Sequence, residues 1–172
     1  MLSSFFSRKQ PKKDLAPKGE MPSPEQADTT YDPGLIAVHT EQHRALVMLL
    51  IRARNAAQQA RYEEVKGNLE QFKSGLENHL YQEGVGLLPY LIKHLTGDDR
   101  KMLKEMQANT NYIERTVSGF LEHYIGYPVT DRNAERFDAE IEGVSEEFSE
   151  RIQREETSLY VLYMPPESYQ TA

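Results

Sequence analysis

Leu76-Glu77-Asn78-His79-Leu80-Tyr81-Gln82-Glu83-Gly84-Val85-Gly86-Leu87-Leu88-Pro89 is the stretch on which the fold turns. Leu76, Leu80 and Leu87 continue a stripe that starts at Val65, Leu69 and Phe72, in steps of three and four. At 3.6 residues per turn, that spacing puts them on one side of an α-helix, the side that faces a core. His79 and Glu83 fall on the same side. Burying an imidazole or a carboxylate costs roughly several kcal/mol unless the group is paired or binds a metal. Two such residues inside an apolar stripe therefore mark a site as well as a helix. Gly84, Gly86 and Pro89 weaken the helix and predict a bend near its end.

Three further stripes of the same period flank this one. Ile36, His39, His43, Leu46, Leu50, Ala53 and Ala57 make helix 1. After Gly97-Asp98-Asp99, whose carboxylates suit a helix N-terminus, Leu103, Met106, Thr110, Ile113, Val117 and Phe120 make helix 3, which ends near Gly126 and Pro128. Thr130 or Asp131 can cap helix 4. Its stripe runs through Phe137, Ile141, Val144, Phe148, Arg151, Ile152, Glu155, Leu159 and Leu162 until Pro165-Pro166 stops it. Short connections favour antiparallel neighbours, so residues 34–165 are expected to form an all-α, up-down-up-down antiparallel four-helix bundle. Residues 1–33 are poor in aliphatic side chains and rich in Lys, Pro, Ser and acidic residues, the composition of a disordered N-terminal tail. Its Phe5-Phe6 pair stands beside Arg8, Lys9, Lys12 and Lys13, an arrangement able to dock on a partner or an anionic surface. Residues 166–172 form a short C-terminal tail.

The composition narrows the function. A net charge of −7, with no basic patch in the helical part, disfavours nucleic acid, whose phosphates it repels. There is no cysteine, which removes disulfides, thiolate ligands and a thiol nucleophile and leaves His, Asp and Glu as candidate metal ligands. The opening Met1-Leu2-Ser3-Ser4-Phe5-Phe6 precedes the basic residues, the reverse of a signal peptide, and no apolar run reaches transmembrane length. A cytoplasmic protein with no membrane span is expected. No compelling Ser-His-Asp constellation is present either, so an enzyme is not expected.

The ionisable residues on the stripes lie at matched depths. Counted from the turn near residue 60, His43 lies about as far back along helix 1 as His79 lies forward along helix 2, with His39 one turn away. His79 and Glu83 are four apart, so imidazole and carboxylate share one helix face. Helix 4 repeats helix 2. Glu77-Asn78-His79-Leu80-Tyr81-Gln82-Glu83 with Leu87-Leu88 aligns with Ser149-Glu150-Arg151-Ile152-Gln153-Arg154-Glu155 with Leu159-Tyr160, and Arg151 stands where His79 stands.

In Glu41-Gln42-His43-Arg44-Ala45-Leu46, in His79-Leu80-Tyr81-Gln82-Glu83 with Leu87-Leu88-Pro89, and in Arg151-Ile152-Gln153-Arg154-Glu155-Glu156 with Leu159-Tyr160, the chain resembles the hemerythrin HHE cation-binding family over roughly residues 35 to 163. The resemblance implies a four-helix bundle that holds a non-haem iron pair, with roles in carrying oxygen, sensing oxygen or redox state, or handling iron and nitric oxide. By position it implies that His43, His79, Glu83 and Glu155 are metal ligands. Two imidazoles of the family pattern are missing, since helix 4 has Arg151 and helix 3 has Met106, Asn109 or Thr110 at that level. His94 and His123 lie too far along their helices to replace them. The cofactor expected is therefore non-haem iron as a single ion, substoichiometric or absent, with His39 supporting the ligands from behind and Arg151 supplying the missing positive charge.

Two functional classes follow: a cation-binding bundle with an incomplete ligand set and a sensory or regulatory role, or a metal-free helical regulator that binds another protein. For His43, His79 and Glu83 the alternative to ligation is a hydrogen-bonded polar network. For Arg151 the alternative to burial is a surface pair with Glu150 or Glu155.

Overall fold

A computed structural model describes residues 29–170, with the backbone alone for 109–114 and 170. The expected tail, with Phe5-Phe6 and its basic residues, thus lies outside the described residues up to position 28. Five α-helices follow: α1 Leu35–Gln58, α2 Tyr62–Gln82, α3 Leu88–His94, α4 Gly97–Gly126 and α5 Ala134–Arg154. Short pieces complete them. A π-helical turn, Glu83–Leu87, joins α2 to α3, and another, Glu155–Leu159, follows α5. The 3₁₀ turns Tyr160–Leu162 and Pro166–Gln170 close the described chain. No strand occurs among the described residues.

The stripes account for what is buried. α1 presents Leu46, Leu50, Ala53 and Ala57, α2 presents Val65, Leu69, Phe72 and Leu76, α4 presents Val117, Phe120 and Leu121, and α5 presents Phe137, Ile141, Val144 and Phe148 to one apolar cluster. α1 packs on α2 and α5, and α4 packs on the same two helices. A second cluster gathers Leu87, Tyr90, Leu91, Leu95, Leu103, Leu159, Tyr160 and Tyr163, with Leu35, Ile36 and Met106 against it. Between the two clusters lie the ionisable residues, all buried: His39 and His43 on α1, His79 on α2 with Glu83 at the start of the π-helical turn after it, and Arg151 on α5 with Glu155 at the start of the next such turn. They form a polar layer that cuts the core in two.

Three details depart from the sequence expectations. The second helix bends, as expected, but through a π-helical turn, which splits it into α2 and α3. Helix α5 begins at Ala134, and neither Thr130 nor Asp131 caps it. The Asn133 side chain accepts a hydrogen bond from the Thr130 N–H at 2.6 Å, closing a turn ahead of the helix, while Asp131 accepts one from the Tyr62 hydroxyl at 2.6 Å. Residues near both ends of the described segment also pack where tails are expected. Tyr31 stacks on Tyr163 with ring centroids 5.1 Å apart, the Asp32 N–H donates to the Tyr163 hydroxyl at 2.8 Å, and the Tyr169 hydroxyl accepts from the Met164 N–H at 3.1 Å. Tyrosine carries both a large apolar ring and a polar tip, so three of them can tie down short segments that have no aliphatic stripe.

Among the described residues no helix is long and apolar enough to cross a membrane. Phe72 is fully buried, its ring 5.3 Å from that of Phe148 in an edge-on contact between α2 and α5. Phe72→Ala should lower the free energy of unfolding by about 3 to 5 kcal/mol in a urea titration, the usual loss when an aromatic side chain leaves a cavity. A loss below about 1 kcal/mol would take Phe72 out of the core.

Candidate metal centre

The α1–α2 hairpin aligns the first two site residues. Its turn passes through Ala60, whose positive φ of 54° reverses the chain in a tight space, and His43 and His79 lie eighteen residues either side of Arg61. Their Nε2 atoms are 3.2 Å apart. The π-helical turn after α5 brings the third group: Glu155 Oε2 lies 3.2 Å from His43 Nε2, outside the angle of a hydrogen bond, and has no hydrogen-bond partner. One ligand atom each from His43, His79 and Glu155 lie within 4.8 Å of one another, and all three residues are buried. Glu83 stands slightly farther off, its Oε2 3.9 Å from His79 Nε2.

The far side of each imidazole is held by an oxygen. His79 Nδ1 lies 2.9 Å from Gln42 Oε1, and the Gln42 amide in turn donates to Gln82 Oε1 at 2.7 Å. His43 Nδ1 lies 3.0 Å from Glu156 Oε1. In the neutral rings each Nδ1 carries the proton, a tautomer assigned from these partners, and each Nε2 turns a lone pair inward; when His43 takes up a second proton, its Nε2 holds that proton between His79 and Glu155. The two lone pairs face each other and the unpartnered Glu155 oxygen. The Tyr160 hydroxyl, 3.3 Å from His43 Nε2, offers a donor there. Such a convergence of acceptors is repulsive until a proton or a cation enters it.

Burial and neighbours divide the three histidines. Burial, followed by the charge of His43, lowers His39 to about 4. Burial and the same neighbour lower His79 to about 3. Burial acts on His43 as well, but the carboxylates of Glu155 and Glu156 outweigh it and raise His43 above the ordinary value. Burial pushes Glu155 up, and His43 with Arg151 together pull it below the ordinary carboxylate range. Burial and the nearby carboxylates raise the Tyr160 phenol.

Arg151 lies inside this layer, with 4% of its side chain exposed. Its Nη2 donates to Glu83 Oε2 at 3.2 Å and its Nε to Glu155 Oε1 at 2.7 Å. His39 is buried next to His79, with ring centroids 4.9 Å apart. All six residues singled out from the sequence thus meet in one layer. Met106 belongs to the second apolar cluster, and the Asn109 and Thr110 side chains lie outside the described residues. His94 is held by Tyr90 and Tyr169.

Three participants escaped the sequence stripes: Gln42, Glu156 and Tyr160. Gln42 and Glu156 each adjoin a site residue in sequence, yet one residue off the core face, where a side chain can reach only the back of a ring. Tyr160 follows Glu155 by five, which on an α-helix turns it well away from the site. The π-helical turn between them, hydrogen-bonded i to i+5, brings it back onto the same face.

The model of one protein family, the hemerythrin HHE cation-binding domain, matches residues 35–163. Neither the curated proteins nor the solved structures supply a match.

Removing one side of a buried ion pair typically costs about 3 to 5 kcal/mol. Arg151→Ala should lose stability in that range near neutral pH, measured by chemical denaturation, and a loss below about 1 kcal/mol, typical of exposed pairs, would contradict the buried geometry. The deficit should narrow in acid. Glu155 is held below its ordinary value of 4.5, so the stability this contributes is present above that pH and is lost as pH falls through the lower folded value.

Proposed function

Because the chain belongs to the hemerythrin HHE cation-binding family, we propose that it is a cation-binding regulatory protein that holds a single metal ion at His43, His79 and Glu155, with Glu83 at the margin. The observation that carries this reading is the convergence of one ligand atom each from His43, His79 and Glu155 within 4.8 Å of one another. Ligands at about 2.0 to 2.1 Å around a tetrahedral ion stand roughly 3.3 Å from one another, and the His43–His79 and His43–Glu155 separations are both 3.2 Å. The histidines also have the support that metal-bound imidazoles require, an acceptor oxygen on each Nδ1. Imidazole and carboxylate donors suit a borderline divalent ion, and family membership favours non-haem iron.

A second ion does not fit. Arg151 occupies the space between Glu83 and Glu155 with a charge that cannot be neutralised near neutral pH. The chemistry that bound iron supplies is a reversible one-electron change, which suits a sensor. The residues of the chain do the rest: Gln42 and Glu156 orient the two rings, Arg151 holds one oxygen of each carboxylate, and the two apolar clusters keep water from the layer. We read the protein as acting by binding, not by catalysis, and as cytoplasmic. Its helix contacts and short connections favour the up-down-up-down arrangement.

A second reading, a metal-free helical regulator that binds another protein, is favoured by the same arginine, which already neutralises charge in the layer. Anaerobic Fe(II) loading followed by metal analysis separates the two. Up to one iron per chain is expected, lost in His79→Ala, with a higher affinity in Arg151→His because that change restores His-x-x-x-Glu on α5. Two irons per unaltered chain would overturn the single-ion reading, and a chain that stays colourless and metal-free would move the function to partner binding.

A further inference from the structure

His39 has no exposed surface, and neither of its ring nitrogens has a hydrogen-bond partner. Buried polar side chains are nearly always paired, so both nitrogens standing idle requires an explanation. A side chain of similar size without nitrogen, such as leucine, would fill the space at no such cost. One further atom of the layer, Glu155 Oε2, is likewise without a hydrogen-bond partner.

His39 sits four residues before His43, one turn back on the same face of α1. Its ring meets that of His79 edge-on, with centroids 4.9 Å apart at 70°, and that of Tyr160 at 6.1 Å. His-x-x-x-His on a helix is the spacing by which one helix offers two imidazoles to one ion. We propose that His39 is a metal ligand, and that α1 supplies two imidazoles to a site of His39, His43, His79 and Glu155. This rests on the single-ion reading above and specifies its ligand set. The His39 nitrogens stand outside the group of ligand atoms within 4.8 Å of one another, so the ring turns to join it. It has no hydrogen bond to break in doing so. The ligand is a first-row divalent cation of borderline softness, such as Zn(II), Co(II) or Fe(II).

The test uses the full chain labelled with ¹⁵N in its histidines and titrated with Zn(II), which is diamagnetic. One Zn(II) per chain should shift ring nitrogens of three histidines, His39, His43 and His79. His39→Leu should still fold, with a metal-free melting temperature at or above that of the unaltered protein, because it removes the orphaned nitrogens. Its Kd for Zn(II) should rise by more than about 100-fold, beyond the range of a residue that only supports a ligand. If His43 and His79 shift while His39 does not, or if His39→Leu binds Zn(II) as tightly as the unaltered chain, His39 is a packing residue and the inference falls, leaving the single-ion reading in place. If no histidine shifts, the single-ion reading fails and takes this inference with it. The NMR measurement needs no substitution, so it decides the matter even if His39→Leu does not fold.

Discussion

The guanidinium of Arg151 is held between the carboxylates of Glu83 and Glu155 in the middle of a helical core, and the rest of the layer is arranged around that contact. Two buried carboxylates with no counter-charge would repel each other and lose their hydration, a cost of several kcal/mol or so for each ion. Arginine answers this better than lysine, because its planar fork reaches two acceptors at once and its charge does not titrate away. The contact also joins α5 to the end of α2, two elements whose apolar stripes would otherwise bind them only non-directionally. Hydrophobic packing tolerates sliding by a turn, whereas a charged pair buried at one level does not.

The layer's position between two apolar clusters has a mechanical basis in the π-helical turns. Both begin at a site carboxylate, Glu83 in one case and Glu155 in the other, and both end at a buried leucine, Leu87 and Leu159. The two segments occupy equivalent places in the internal repeat of α2 and α5. A wider turn inserts an extra residue into the register, which lets the helix bury Glu155 and Tyr160 on one face and resume its packing beyond. The repeat is therefore one of local backbone form as well as of residue type.

The helices were legible in the sequence because their stripes are long and regular, and the site was legible because its residues interrupt those stripes. His43 and His79 could be placed level by counting from a single turn, since an α-helix has a constant rise. The signals failed where the backbone departs from that regularity. Tyr160 lies beyond a π-helical turn, so the 3.6-residue period points it the wrong way. Asn133 won over Thr130 and Asp131 through a local turn that no stripe reports. Gln42 and Glu156 sit off the core face and act only on the backs of rings, and nothing in a pattern of apolar positions marks such residues. Tyr31, Tyr163 and Tyr169 pack the segments flanking the helices by aromatic contacts that carry no period.

Arg151 has two consequences for the centre that are usually separate. By taking one oxygen from each carboxylate, Glu83 Oε2 and Glu155 Oε1, it fills the place that a second cation would need. By the same bonds it fixes the rotation of Glu155, so that the remaining oxygen is turned toward His43. A carboxylate free to rotate would spread its charge over several orientations, and part of any binding energy would go into ordering it. Held on one side by a guanidinium, it presents a pre-aimed acceptor beside two imidazoles whose own rotation is set by Gln42 and Glu156. The residue that stands where the internal repeat has an imidazole thus orients the carboxylate beside it, so that His43, His79 and Glu155 keep a definite geometry without a second histidine on this segment.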